Sequence, residues 1–191
     1  DCGEGTQRQF MLSPLSFMQV SRVFLTHFHG DHFLGLPGMV QSMSMNGREV
    51  PLEVYGPRGV EQLVGELLSL GYFTPGFAVK AKEIPPGGQV DCGEYVVKAF
   101  EAVHTVPGSS YVLEEKLRPG RFSVERAEAL GIPSGPLYSR LQEGETVRVG
   151  DRTIRPEEVL GPPRRGRKIV YTGDTMPHDA LVEIARGADV L

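Results

Sequence analysis

Thr26-His27-Phe28-His29-Gly30-Asp31-His32 is the segment from which the chain is read. Three of the five histidines and one aspartate fall within it, directly behind the apolar run Val23-Phe24-Leu25. That run is rich in β-formers and predicts a strand ending at Thr26. In extended backbone His27 and His29 point to the same side, because side chains repeat every two residues. Gly30 permits a sharp turn that swings Asp31 and His32 back toward the same point. Two imidazoles, a carboxylate and a third imidazole suit two adjacent divalent ions of Zn²⁺ character.

Outward from this motif, short apolar runs alternate with helical patterns. Strands are expected at 51–55, 95–103, 110–114 and 168–172, with another starting at 188. Helices are expected at 37–45, 58–70 and 177–186. The strand at 110–114 is expected to pair with 95–103 across the Pro107-Gly108 turn. Two further candidates follow strands. His104 comes directly after Glu101-Ala102-Val103, and Asp174 comes after Ile169-Val170-Tyr171-Thr172-Gly173. Sites in layered α/β proteins gather at the carboxyl ends of strands, so both join the histidine motif as candidate ligands, Asp174 as a bridge between two metals. Cys2 and His178 are weaker candidates, read as structural residues.

Segment 117–167 breaks this rhythm. It carries a helical stretch at 123–130, the turn-rich Gly131-Ile132-Pro133-Ser134-Gly135-Pro136, a hairpin at 145–155 and a Pro- and Arg-rich exit. So much Pro and Gly fits an inserted arm rather than a core element. Charge follows the same division. The net charge of −4 splits into +5 from Lys116 to Lys168 and −9 elsewhere. An acidic body with one basic segment fits a module that holds a polyanion.

Length and composition exclude several classes. With 191 residues, 40% hydrophobic and 23% charged, the chain can bury a real core and is neither fibrous nor disordered. No run approaches the ~20 apolar residues of a membrane span, and no signal peptide opens the chain. Cys2 and Cys92 cannot form a disulfide framework and fit a reducing compartment. The expectation is a cytoplasmic protein with no membrane partner. Asp1 stands where a methionine would open a complete chain, and Leu191 falls inside a strand pattern, so the sequence reads as the interior of a longer one.

These residues resemble the metallo-β-lactamase superfamily and, within it, the ribonuclease Z family. His27, His29, Asp31 and His32 match its His-x-His-x-Asp-His signature. Asp1-Cys2-Gly3-Glu4-Gly5-Thr6-Gln7, His104 through Tyr111 and Gly173-Asp174-Thr175 match three further motifs. Ser109 and Ser110 stand where the family often places an aromatic residue and a glycine. The resemblance implies an α/β protein of the metallo-β-lactamase fold, an αββα four-layer sandwich of two mixed sheets flanked by helices. Residues 1–116 and 168–191 would form that core, with 117–167 an inserted flexible arm.

It implies two divalent metal ions, Zn²⁺ first and Mn²⁺ second. One would be held by His27, His29, His104 and Asp174, the other by Asp31, His32 and Asp174. A further histidine would lie beyond Leu191. Asp1 would support the ligands from behind, and Asp31 would act catalytically on the attacking water. The implied activity is removal of the 3′ trailer from precursor tRNA, leaving a 3′ hydroxyl on the tRNA and a 5′ phosphate on the trailer, by a homodimer. The arm would hold the tRNA through Arg140, Arg148, Arg152, Arg155, Arg164, Arg165, Arg167 and Lys168. The competing expectation is a small-molecule hydrolase of the same superfamily, a phosphodiesterase or thioesterase, which has no need of a basic arm.

Overall fold

The computed structural model describes all residues from Asp1 to Leu191. In chain order the strands are β1 (Arg22–Phe24), β2 (Leu52–Gly56), β3 (Val79–Glu83), β4 (Gln89–Asp91), β5 (Tyr95–Ala102), β6 (Gly108–Glu115), β7 (Val147–Val149), β8 (Arg152–Ile154) and β9 (Lys168–Tyr171). The helices are α1 (Thr6–Leu12), α2 (Gly30–Phe33), α3 (Gly35–Met45), α4 (Val60–Leu68), α5 (Val124–Ala129), α6 (Pro136–Gln142), α7 (Pro156–Val159) and α8 (Asp179–Ala185). They divide into two compact units, Asp1–Leu113 with Lys168–Leu191, and Glu114–Arg167. No helix is long and apolar enough to cross a membrane.

The first unit is built on two sheets. One has the order β1-β2-β3 and is parallel throughout, with Val23 opposite Val54 and Val54 opposite Ala81. Its connections carry helices, the crossover that parallel neighbours require. The other sheet has the order β4-β5-β6-β9, with β4 antiparallel to β5. Leu36, Met39, Val40 and Met43 of α3 and Val60, Val64 and Leu67 of α4 bury their stripe against Val23, Leu52 and Val54. A second cluster, Tyr55, Val97, Ala99 and Tyr111 with Phe24, joins β1 and β2 to β5 and β6. Phe24 stacks on Tyr55 at 5.0 Å and meets Tyr111 edge-on at 5.4 Å. Helix α8 buries none of its residues.

The second unit differs from the loop-like arm its composition suggests. Ala127, Ile132, Leu141, Val147, Ile154 and Val159 form a core of their own. Its two ends pair antiparallel, Arg118 with Arg164 and Phe122 with Leu160. Gly120 is required there, because a Cβ would meet the Gly161 carbonyl oxygen at 1.9 Å. The expected hairpin forms as β7 and β8. Helices α6 and α7, both opening on proline, were hidden in the turn-rich sequence. A proline at the first helical turn starts a helix rather than ending one.

Candidate metal centre

Three strand ends meet because their backbones are tied together. Ser109 N donates to Thr26 O at 2.8 Å, and Ser110 Oγ donates to Thr172 O at 2.8 Å. Val103 N donates to Thr175 Oγ1 at 2.9 Å. These bonds bring the residues after β1, β5 and β9 to one place. Gly173 allows the last approach. Its φ is +59°, and a Cβ there would sit 2.7 Å from Thr26 Cγ2. The amino-terminal loop closes the site from another side. Cys2 N donates to His32 O, and Gly35 N donates to Cys2 O. Gly3 and Gly35 leave no room for a Cβ in that contact, since each would meet a carbonyl oxygen at 1.9 Å.

Asp1 organises the imidazoles. Its carboxylate accepts from Thr26 N at 2.7 Å, from Thr26 Oγ1, from Tyr171 Oη at 2.9 Å and from His32 Nδ1 at 2.8 Å. A carboxylate only accepts, so His32 Nδ1 carries a proton toward Asp1 and Nε2 is the atom that faces the cluster. Thr26 gives its one hydroxyl hydrogen to Asp1, so its oxygen accepts from His27 Nδ1 at 3.0 Å. His27 Nε2 is thereby left as a lone pair. One aspartate therefore sets the tautomer of two histidines.

The freed nitrogens converge. His27 Nε2 lies 3.0 Å from His29 Nδ1, and His104 Nε2 lies 3.3 Å from the same atom. His32 Nε2 faces Asp31 Oδ2 at 3.5 Å and Asp174 Oδ2 at 3.6 Å. Two donor groups result, His27-His29-His104 and His27-His32-Asp174. A divalent ion fits the first. Tetrahedral Zn–N bonds of about 2.0–2.1 Å place neighbouring nitrogens roughly 3.3 Å apart. His27 is held below its ordinary pKa, first by burial and then by the neighbouring histidines, which favours the neutral ring a metal needs. Exposure rises across the site, from 1% for His27 to 52% and 68% for the Asp174 and Asp31 side chains. The carboxylate side is where a substrate can approach.

Five of the six expected ligands, His27, His29, His32, His104 and Asp174, make up the two donor groups; Asp31 faces His32, and Asp1 lies behind. Cys2 belongs to the apolar core instead, its thiol pushed up by burial. His178 joins neither donor group. Sequence reasoning missed Thr26 and Tyr171 as parts of the centre. Thr26 had a signal, as the one polar residue closing an apolar strand; Tyr171 had none.

In the second unit the expected arm cations are largely engaged. Arg140 pairs with Glu145 at 2.7 Å, Arg152 with Glu158 at 3.0 Å and Arg148 with Asp151 at 3.8 Å. Arg164 Nε donates to Pro119 O. Arg118 and Arg121, which the sequence reading did not single out, join Arg164, Phe122 and Gln142 around a cavity of about 470 Å³.

With this geometry the chain belongs to the β-lactamase superfamily, whose domain model matches residues 1–126. The chain is 49% identical over 191 residues to ribonuclease Z of Methanosarcina acetivorans and 50% identical to that of Methanothermobacter thermautotrophicus. It aligns in full in both comparisons, and spans 63% and 62% of those curated relatives' lengths. The crystal structure of the short form of human tRNase Z superposes over the whole chain and 63% of its own, with a TM-score of 0.65 at 25% identity. The Bacillus subtilis metallo-β-lactamase fold protein YhfI shares the fold alone, at a TM-score of 0.59 and 14% identity.

Proposed function

We propose that the chain is the catalytic part of a zinc-dependent endoribonuclease that removes the 3′ trailer from precursor tRNA. The observation that carries this reading is the convergence of His27, His29, His32, His104 and Asp174, with Asp31 facing His32, in a chain about half identical to ribonucleases Z. His27 Nε2, His29 Nδ1 and His104 Nε2 would hold one ion; Asp31, His32 Nε2 and Asp174 would hold the second, with Asp174 shared. Two such ions would neutralise phosphate charge and lower the pKa of water, so that hydrolysis proceeds at neutral pH.

The chain's own groups do the rest. Asp31, the most exposed carboxylate of the cluster, orients the attacking water and takes its proton. Asp1, through Thr26 and His32, keeps the imidazoles aimed. The products are a 3′ hydroxyl on the tRNA and a 5′ phosphate on the trailer. Unit Glu114–Arg167 serves as the exosite for the tRNA body, through its basic side chains. A homodimer and a cytoplasmic location complete the reading, supported by the family resemblance.

Asp31→Ala tests the division of labour. Cleavage of a 3′-extended precursor tRNA is expected to fall by at least ~10²-fold, the usual worth of a positioned acid–base group, with tRNA affinity largely retained. Loss of tRNA binding in this variant would contradict the separation of exosite and catalytic centre.

A further inference from the structure

A second cavity, of about 530 Å³, opens beside His104 and is used by none of the steps above. Its walls come from three separate segments, Pro57-Arg58, Pro85-Pro86 and the β5–β6 turn with its flanking strand ends, 101–109. Four prolines, Pro57, Pro85, Pro86 and Pro107, line it together with Val103 and Val106. Proline walls lose little freedom when a ligand packs on them, so the apolar floor is already organised. Two charged residues also line the cavity, Arg58 and Glu101.

The polar groups at this cavity are unspent. Arg58 is exposed and has no ion pair or hydrogen bond within the chain. Nearby Glu83 is already committed, its carboxylate accepting from Gly59 N at 2.7 Å. Ser109 also lines the cavity; it is fully buried, and its Oγ has no hydrogen-bond partner. The Tyr111 phenol close by donates instead to Leu25 O at 2.8 Å. A buried hydroxyl without a partner is costly, so one in a native structure calls for a ligand or water.

We infer that this cavity binds the nucleotide next to the scissile phosphate, with Arg58 on its phosphate and its base on the proline–valine floor. The inference rests on the endoribonuclease reading above and adds the substrate-binding residues. One cation suits a phosphate. The adjacent Glu101 carboxylate accepts from a ribose hydroxyl or base amine, and the Ser109 hydroxyl gains the partner it lacks. Free phosphate would leave the floor and Glu101 without a role. A nucleotide uses all three features and fits the volume.

The test compares Arg58→Ala, Arg58→Lys and Ser109→Ala with the parent, as the metal-loaded full-length protein, on 3′-extended precursor tRNA and on bis(p-nitrophenyl) phosphate. Arg58→Ala is expected to raise KM for the RNA roughly tenfold, the worth of one charge-assisted hydrogen bond, with kcat nearly unchanged. Arg58→Lys restores part of that loss. Ser109→Ala raises KM for the RNA more modestly, without lowering the melting temperature. Turnover of the small diester stays near the parent value in all three. An unchanged KM in Arg58→Ala, beside a parent that cleaves the RNA, overturns the cavity assignment alone. Equal losses on both substrates overturn it too, by placing Arg58 in the metal centre. A parent that hydrolyses the small diester but not the RNA removes the tRNA reading, and the nucleotide cavity with it.

Discussion

Asp1 accepts hydrogen bonds from Thr26, His32 and Tyr171, which together fill the roughly four lone-pair sites of a carboxylate. Replacing it with Asn substitutes a donor for an acceptor and reverses the preferred tautomer of His32 or of Thr26-linked His27. Partners of this kind are typically worth ~10–100-fold in metal affinity. Asp1→Asn is therefore expected to weaken Zn²⁺ binding by that factor in a chelator-competition titration. Unchanged affinity would mean that the imidazoles are aimed by something other than Asp1. All six candidate ligands were legible in the sequence, four because they sit within one short turn, His104 and Asp174 because each follows an apolar strand. The roles of Asp1, Thr26 and Tyr171 were less so, since Tyr171 lies 170 residues from the group it touches.

At the scale of elements, the centre depends on how strand ends are brought together. Gly173 sits at φ +59° with Thr26 against the space a side chain would fill. Gly173→Ala is expected to cost about 1–3 kcal/mol through backbone strain and the clash, and to weaken metal binding by displacing Asp174. Thermal unfolding with and without Zn²⁺ would show both effects; a variant with parental stability and affinity would show that the loop yields freely.

Strands β1, β2, β5 and β9 were readable, because buried strands carry unbroken apolar or alternating runs. Strand β3 was not. It reads Val79-Lys80-Ala81-Lys82-Glu83 and lies at the sheet edge, where lysines are tolerated and guard against pairing with other chains. Helix α1 was missed for a similar reason, since it buries no residue and so carries no apolar stripe.

The whole molecule holds the candidate metal centre in one unit and packs a second unit around a core of its own. Charge and Pro–Gly content change near the ends of this unit, Glu114–Arg167. Its internal core was obscured by those same prolines and glycines. Leu141 is fully buried in that core, and Leu141→Ala is expected to cost about 2–5 kcal/mol. If the unit is the tRNA exosite, this variant loses precursor tRNA affinity while turnover of bis(p-nitrophenyl) phosphate persists. Parallel loss of both activities would tie the unit to the metal centre instead. Cleavage of RNA and metal dependence can be read together in a single experiment. The full-length protein is incubated with a 3′-extended precursor tRNA, with and without chelator, and the new ends are mapped. The account predicts one chelator-sensitive cut next to the discriminator base, at the 3′ end of the acceptor stem, leaving a 3′ hydroxyl on the tRNA and a 5′ phosphate on the trailer. A metal-loaded protein that leaves the precursor intact, or a cut that survives chelation, would contradict it.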